Sequence, residues 1–156
     1  MNKYLIIATP EELALPAAKE ALAQGRVALI TGIGGVNVIR ALADLPREAD
    51  ILNVGYCGSP SLPAGTEIHI GSVRTFHPGV DFPEETFYLD APPKRAHLCL
   101  TAGDFVTGAA GIPEGAVVDM ELAYVAALGF VGLSAVKYVS DNLSLQQYQD
   151  TIEEAR

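Results

Sequence analysis

"GAVVDMELAYVAAL", residues 115–128, joins two apolar runs through an acid, a methionine and a second acid. Val117 and Val118 read as the end of a buried strand, and Leu122 to Leu128 as the start of a buried helix. A strand running directly into a helix is the repeating step of an α/β chain. The seam also poses a chemical question, because an unpaired carboxylate costs several kcal/mol to bury. Either Asp119 and Glu121 both cap the helix in solvent, or one of them faces a ligand. Aspartate fills the N-cap role well, and a glutamate in the first turn favours the helix dipole. The seam alone leaves both readings open.

Outward from it, the same alternation recurs. "KYLIIAT" (3–9), "RVALITGI" (26–33) and "DILNVG" (50–55) read as strands. Helices are expected over "EELALPAAKEALAQ" (11–24), stopped by Gly25, and "VNVIRALADL" (36–45), stopped before Pro46. "TEIHIGSVRTF" (66–76) has strand content with a glycine break, which predicts bulged or paired strands. A proline-rich stretch over 77–95 holds "ETFYL" as a short strand. Strands follow at "HLCLTAG" (97–103), "GAVVDM" (115–120) and "LSAVKYVSD" (133–141), with helices at "MELAYVAALGF" (120–130) and a solvated "SLQQYQDTIEEA" (144–155). No internal repeat or linker interrupts the series. The pattern predicts one α/β domain over residues 1–156, a three-layer αβα sandwich around a mostly parallel, mixed sheet.

In sheets of this class ligands bind beyond the carboxyl ends of the strands. Reading past each strand gives Thr9–Glu12, Gly32–Gly35, Gly55–Ser59, Gly103–Phe105, Asp119–Glu121 and Ser140–Asp141. Glycines and acids gather there. The arrangement points to a small-molecule cleft that is rich in carboxylates and poor in cations.

Composition narrows the partners. The net charge is −9, and only ten Lys and Arg are present, scattered along the chain, so a phosphate-tracking nucleic-acid surface is excluded. The opening "MNKYLIIATPEE" holds an apolar run too short for a signal peptide or a membrane span. A cytoplasmic protein with no membrane contact is expected, its Cys57 and Cys99 reduced. His69, His77 and His97 lack metal-ligand spacing with Cys, Asp or Glu, so no metal is expected.

Individual motifs are less specific. "TGIGGVN" (31–37) lacks the third glycine of a dinucleotide fingerprint, Asn37 standing in its place, and no P-loop follows. It reads as a tight strand-to-helix turn whose bare backbone, at Gly34, leaves room for a small ligand. "NVGYCGS" (53–59) is a second such turn, either a loop needing positive φ or a set of amides facing an anion or hydroxyl. "AVKYVSDNLS" (135–144) ends a strand in Ser140-Asp141-Asn142, with Ser144 as N-cap of the last helix.

Taken together, "YLIIATPEE", "VALITGIGGVN", "ILNVGYCGS", "TAGDFVTG", "VVDMELAYVA" and "AVKYVSDN" resemble, in order, the purine nucleoside phosphorylase and nucleosidase family. Within it they are most like the methylthioadenosine/S-adenosylhomocysteine nucleosidases. The resemblance covers most of the chain, and "DMELA" with "SDN" is its specific part. It implies that Met120 and Glu121 close over a ribose, with the Glu121 carboxylate accepting its hydroxyls. Asp141, after Ser140, would donate a proton to purine N7. Phe105 would stack on the base, and the backbone of Val106 would read its edge. Gly34, Gly55 and Tyr56 fall in the family's binding turns.

The family's phosphorylases carry arginines on the third strand and the first loop, where this chain has Asn53 and "ATPEE". A dianionic nucleophile is implausible in such an acidic cleft, so water is expected. The chain departs from the nucleosidases at several points. A gapless match sets Leu13 where they carry a water-activating glutamate, with Glu12 one residue early, about 100° away on a helix. Tyr56 replaces a small Ser or Thr and has the bulk to fill the space of nucleophile or substrate. Lys137 replaces an arginine. The early strand pair and much of the segment between "RTFH" and "TAGD" are missing. The expectation is hydrolysis of a purine nucleoside, with Asp141, Glu121 and Glu12 catalytic and no organic cofactor required, in a homo-oligomer, a dimer in the simplest case. A phosphorylase, a nucleosidase for a related nucleoside such as futalosine, and a binding protein without turnover are the alternatives.

Overall fold

A computed structural model describes residues 2–79, 85–92 and 96–156. Strands β1 (Lys3–Ile7), β2 (Val27–Ile30), β3 (Asp50–Gly58), β4 (Glu67–Phe76), β5 (Phe87–Tyr88), β6 (Ala96–Ala102), β7 (Val117–Asp119) and β8 (Gly132–Asp141) form one mixed sheet. Helices α1 (Pro16–Ala23), α2 (Gly35–Leu42), α3 (Leu122–Ala127) and α4 (Leu145–Ala155) connect or follow them. The expected α/β architecture is present.

β3 lies between β1 and β8 and is parallel to both. Its side chains alternate in the way a strand buried on two faces requires. Ile51 and Cys57 join Leu133, Ala135 and Val139 of β8 against Val38 and Leu42 of α2 and Leu122 and Val125 of α3. On the other face Val54, Val136 and Tyr138 pack with Leu5 and Ile7 against Ala18 and Ala21 of α1. These two cores make the three layers.

The sheet also closes on itself. β8 pairs antiparallel with β4, β4 parallel with β6, β6 parallel with β7, and β7 returns to β3 through Gly58 and Val118. The register of β4 shifts between Ile70 and Ser72, the bulge that the glycine break predicted. Five strands thus form a ring, with β1 and β2 extending from one side. A third small core, including Leu100, Ala102, Val106, Val118 and Leu143, lies among the strand ends where the ring closes.

Two sequence expectations change. The helix expected over 11–24 is two pieces, a 3-10 turn (Pro10–Ala14) and then α1. Pro16 causes the break. A residue before proline is disfavoured in the helical region, and Leu15 is extended at φ −66°, ψ 142°, while Pro16 itself suits the first position of the new helix. β3 likewise runs three residues past Gly55, because Gly55, Tyr56 and Cys57 pair with Lys137, Tyr138 and Val139. The glycine-rich loop begins only at Ser59. The remaining helix bounds differ by a few residues, α3 starting at Leu122 rather than Met120.

Candidate active site

The acids of the 115–128 stretch divide their work. Asp119 ends β7 and is buried. One of its oxygens accepts from the Leu122 amide at 2.8 Å, capping α3, and the other from the Thr101 hydroxyl at 2.5 Å. The Lys137 ammonium completes the set at 3.0 Å, itself fully buried. Burial opposes the lysine's charge, but Asp119 and the neighbouring carboxyls outweigh it, so the ammonium titrates above its usual range.

Glu121 sits at the N-cap position of α3 without capping it. Its Oε2 instead reaches across to the Gly34 amide at 2.8 Å. Gly34 holds φ at +92°, a conformation that L side chains rarely adopt, and so turns its N–H toward the carboxylate. Desolvation, with Asp119 nearby, pushes the Glu121 carboxyl up to about 7.

Glu12 stands in the 3-10 turn, 5% exposed. Its Oε1 accepts from the amides of Ala8 at 2.7 Å and Thr9 at 2.9 Å, and its Oε2 from that of Tyr56 at 2.9 Å. Gly55 makes this possible, since a Cβ there would come within 2.5 Å of Oε2 and 3.3 Å of the Lys137 ammonium. Burial raises the Glu12 carboxyl above its ordinary range, against Lys137 and the three amides. The helical offset expected between Glu12 and Leu13 does not apply, because this segment is not an α-helix. Glu12 faces the cleft and Leu13 packs against the core beneath α1, while Tyr56 touches that core and also lines the cleft.

Asp141 closes β8 at 1% exposure. The Ser140 hydroxyl donates to its Oδ2 at 2.7 Å and the Leu143 amide to its Oδ1 at 2.9 Å. Leu143 adopts φ 65°, a left-handed turn that brings its N–H back onto the carboxyl. Desolvation raises the Asp141 carboxyl, and these hydrogen bonds only partly oppose it.

These groups converge on a cleft of about 240 Å³. Glu12, Glu121 and Asp141 line it with Met120, Phe105, Val106, Ser140 and Tyr56. Of the residues expected at the site, only Gly34 and Gly55 stay out of the lining, the first holding Glu121 and the second making room for Glu12. Among the described residues the lining includes no lysine or arginine, and no group of three or more His, Cys, Asp and Glu is placed to hold a metal ion. No helix among them is long and apolar enough to cross a membrane.

No family model and no curated protein matches the sequence. Solved structures do match its shape. The MTA/SAH nucleosidase of Streptococcus pneumoniae, solved with 8-aminoadenine, superposes at a TM-score of 0.73 with 21% identity, over 99% of this chain and 93% of that one. The S-adenosylhomocysteine nucleosidase of Streptococcus pyogenes, solved with 5-methylthiotubericidin, gives 0.75 with 17% identity over 99% and 90%. The futalosine hydrolase of Helicobacter pylori gives 0.72 with 15% identity over 99% and 92%. The fold is that of the MTA/SAH nucleosidases.

On this nucleosidase fold, sequence reasoning missed the wall contributed by α4. Leu145 and Tyr148 line the cleft, and the Tyr148 ring lies 5.6 Å from that of Phe105. The signal was present, since Leu145, Tyr148 and Ile152 recur at helical spacing on a helix read as wholly solvated. Asp104 and Ile33 also line the cleft. The Asp119–Lys137 pair was missed because nothing local marks two residues 18 positions apart as partners.

Proposed function

We propose that this chain hydrolyses the N-glycosidic bond of a purine nucleoside of the methylthioadenosine type, releasing the free base. The observation that carries the reading is the convergence of Glu12, Glu121 and Asp141, from three separate strand ends, on one cleft that Phe105 also lines. Asp141, whose carboxyl burial raises above its ordinary range, donates a proton to purine N7 as the C1′–N9 bond breaks. The bonding electrons then leave on a neutral base. Glu121, in the ionised form that prevails above about pH 7, accepts the ribose hydroxyls and stabilises the positive charge that develops on the sugar. Water attacks C1′ and passes a proton to Glu12. A carboxylate has about four acceptor positions, and three amides occupy three of those on Glu12, which leaves one for the water.

Hydrolysis is favoured over phosphorolysis because Lys137, the cation behind the cleft, is already paired with Asp119. A phosphate dianion would meet carboxyls without a counter-charge. Ile33 at the cleft, with Val36 and Ile39 exposed beside it on the same segment, supports a homo-oligomer, a dimer in the simplest case. A single-domain cytoplasmic protein is part of the same reading.

The test is release of free base from methylthioadenosine, adenosine, inosine and futalosine, followed by chromatography with and without phosphate. Phosphate-independent release, lost in Glu121→Gln and Asp141→Asn, is the expected result, each loss being about 100-fold or more. Dependence on phosphate would make the protein a phosphorylase. Tight binding without release would make it a binder.

A further inference from the structure

Tyr148 projects from α4 into the same space as the three carboxyls, with its ring centroid 5.6 Å from that of Phe105 and the two planes inclined at 50°. Stacked rings need about 3.5 Å on each side, so a base between two rings would require centroids about 7 Å apart. No base fits between Phe105 and Tyr148. The tilted pair instead forms a corner, offering a planar ligand one wall from each ring.

The corner is held in place. The Ser144 hydroxyl accepts from the Gln147 amide at 3.2 Å, and the Gln147 side chain accepts from the Asn142 amide at 2.8 Å. The Thr151 hydroxyl donates to the Ser140 carbonyl at 2.8 Å. Arg156 pairs with Glu11 at 3.1 Å, beside Glu12 in the 3-10 turn. Tyr148 is therefore fixed against the backbone that carries Ser140 and Asp141. Burial, followed by the nearby carboxyls of Glu12 and Glu121, pushes its phenol up to about 12. The hydroxyl stays protonated, and no phenolate adds to the acidity of the cleft.

We propose that Tyr148 is a specificity-determining residue whose ring, set at an angle to Phe105, forms the second aromatic wall of the base site. The proposal rests on the purine reading given above. It places the base in the corner between Phe105 and α4, against the chain that delivers Asp141. Base–aromatic stacking is worth enough that losing one ring weakens binding about tenfold.

Calorimetry of adenine and methylthioadenosine with the whole protein tests this, using Tyr148→Phe, which keeps the ring, and Tyr148→Leu, which keeps apolar packing on α4. Both variants are first checked for an unchanged melting temperature within a few degrees. The expected result is a Kd about tenfold weaker in Tyr148→Leu for both ligands, by the same factor, and within twofold of wild type in Tyr148→Phe. Equal affinity in Tyr148→Leu overturns the proposal. So does a loss in Tyr148→Phe as large as in Tyr148→Leu, which would assign the contact to the hydroxyl. A loss for methylthioadenosine alone places Tyr148 at the sugar and also overturns it. Failure of wild type to bind either ligand is a separate outcome. It removes the purine reading, and this inference with it.

Discussion

Glu121 holds its proton up to about pH 7, against an ordinary value of 4.5, because it is desolvated and faces Asp119. Between those limits the folded chain binds more protons at this position than the unfolded one, so the carboxyl makes the protein progressively less stable as pH rises through that window. The expected outcome is that Glu121→Gln gains thermal stability relative to wild type from about pH 4.5 upward, levelling off above about pH 7. Melting curves of both proteins across that range check it, and a constant difference would contradict the burial argument. The same scale shows what sequence conveys and what it does not. "DMELA" by itself offered a capping acid and a ligand-facing acid without choosing between them, and the hydrogen bonds of Asp119 to the Leu122 amide and of Glu121 to the Gly34 amide separate the two. The rotation expected to turn Glu12 from the cleft was wrong, because it supposed a continuous helix where a 3-10 turn precedes Pro16 and α1.

Among the elements, β3 and α4 do the most to shape the cleft. β3 has Gly55 where the Glu12 carboxylate and the Lys137 ammonium approach its backbone, so Gly55→Ala would force Glu12 away from the Tyr56 amide. Turnover should fall by at least tenfold while the strand, paired on both sides, stays folded. Initial rates measured beside circular dichroism check this. α4 depends on its N-terminal cap. Ser144→Ala is expected to cost about 1 kcal/mol, seen as a lower urea midpoint with an unchanged slope. Most of these elements were legible from periodicity. β3 was read too short, since "GYCGS" looks like a loop until β8 is known to pair with it. The cleft face of α4 was overlooked because three apolar positions are few among so many polar ones.

For the whole molecule, the buried pair of Asp119 and Lys137 ties β7 to β8 behind the cleft. Removing one partner leaves a buried charge uncompensated, so Lys137→Met should cost about 3–5 kcal/mol. Adding Asp119→Asn to it should recover part of that loss, and urea unfolding of the two single variants and the double variant measures the coupling. Alternation of strands and helices made the layered architecture readable. Closure of the ring was not, because it depends on a single bridge between Gly58 and Val118 and on a short antiparallel contact of β4 with β8. Neither leaves a local pattern.

The central pairing of β3 with β8 joins segments about 80 residues apart. Closing so long a loop is entropically costly, and folds dominated by such contacts form slowly. Asp141 ends one of these strands and Gly55, beside Glu12, lies in the other, so neither carboxyl is in place until the pair has zipped. Amides of β3 and β8 should then be among the last to exchange with deuterium, and refolding should restore the cleft in the same kinetic phase that protects them. A folding intermediate lacking β8 would carry nearly all of these side chains and have no site.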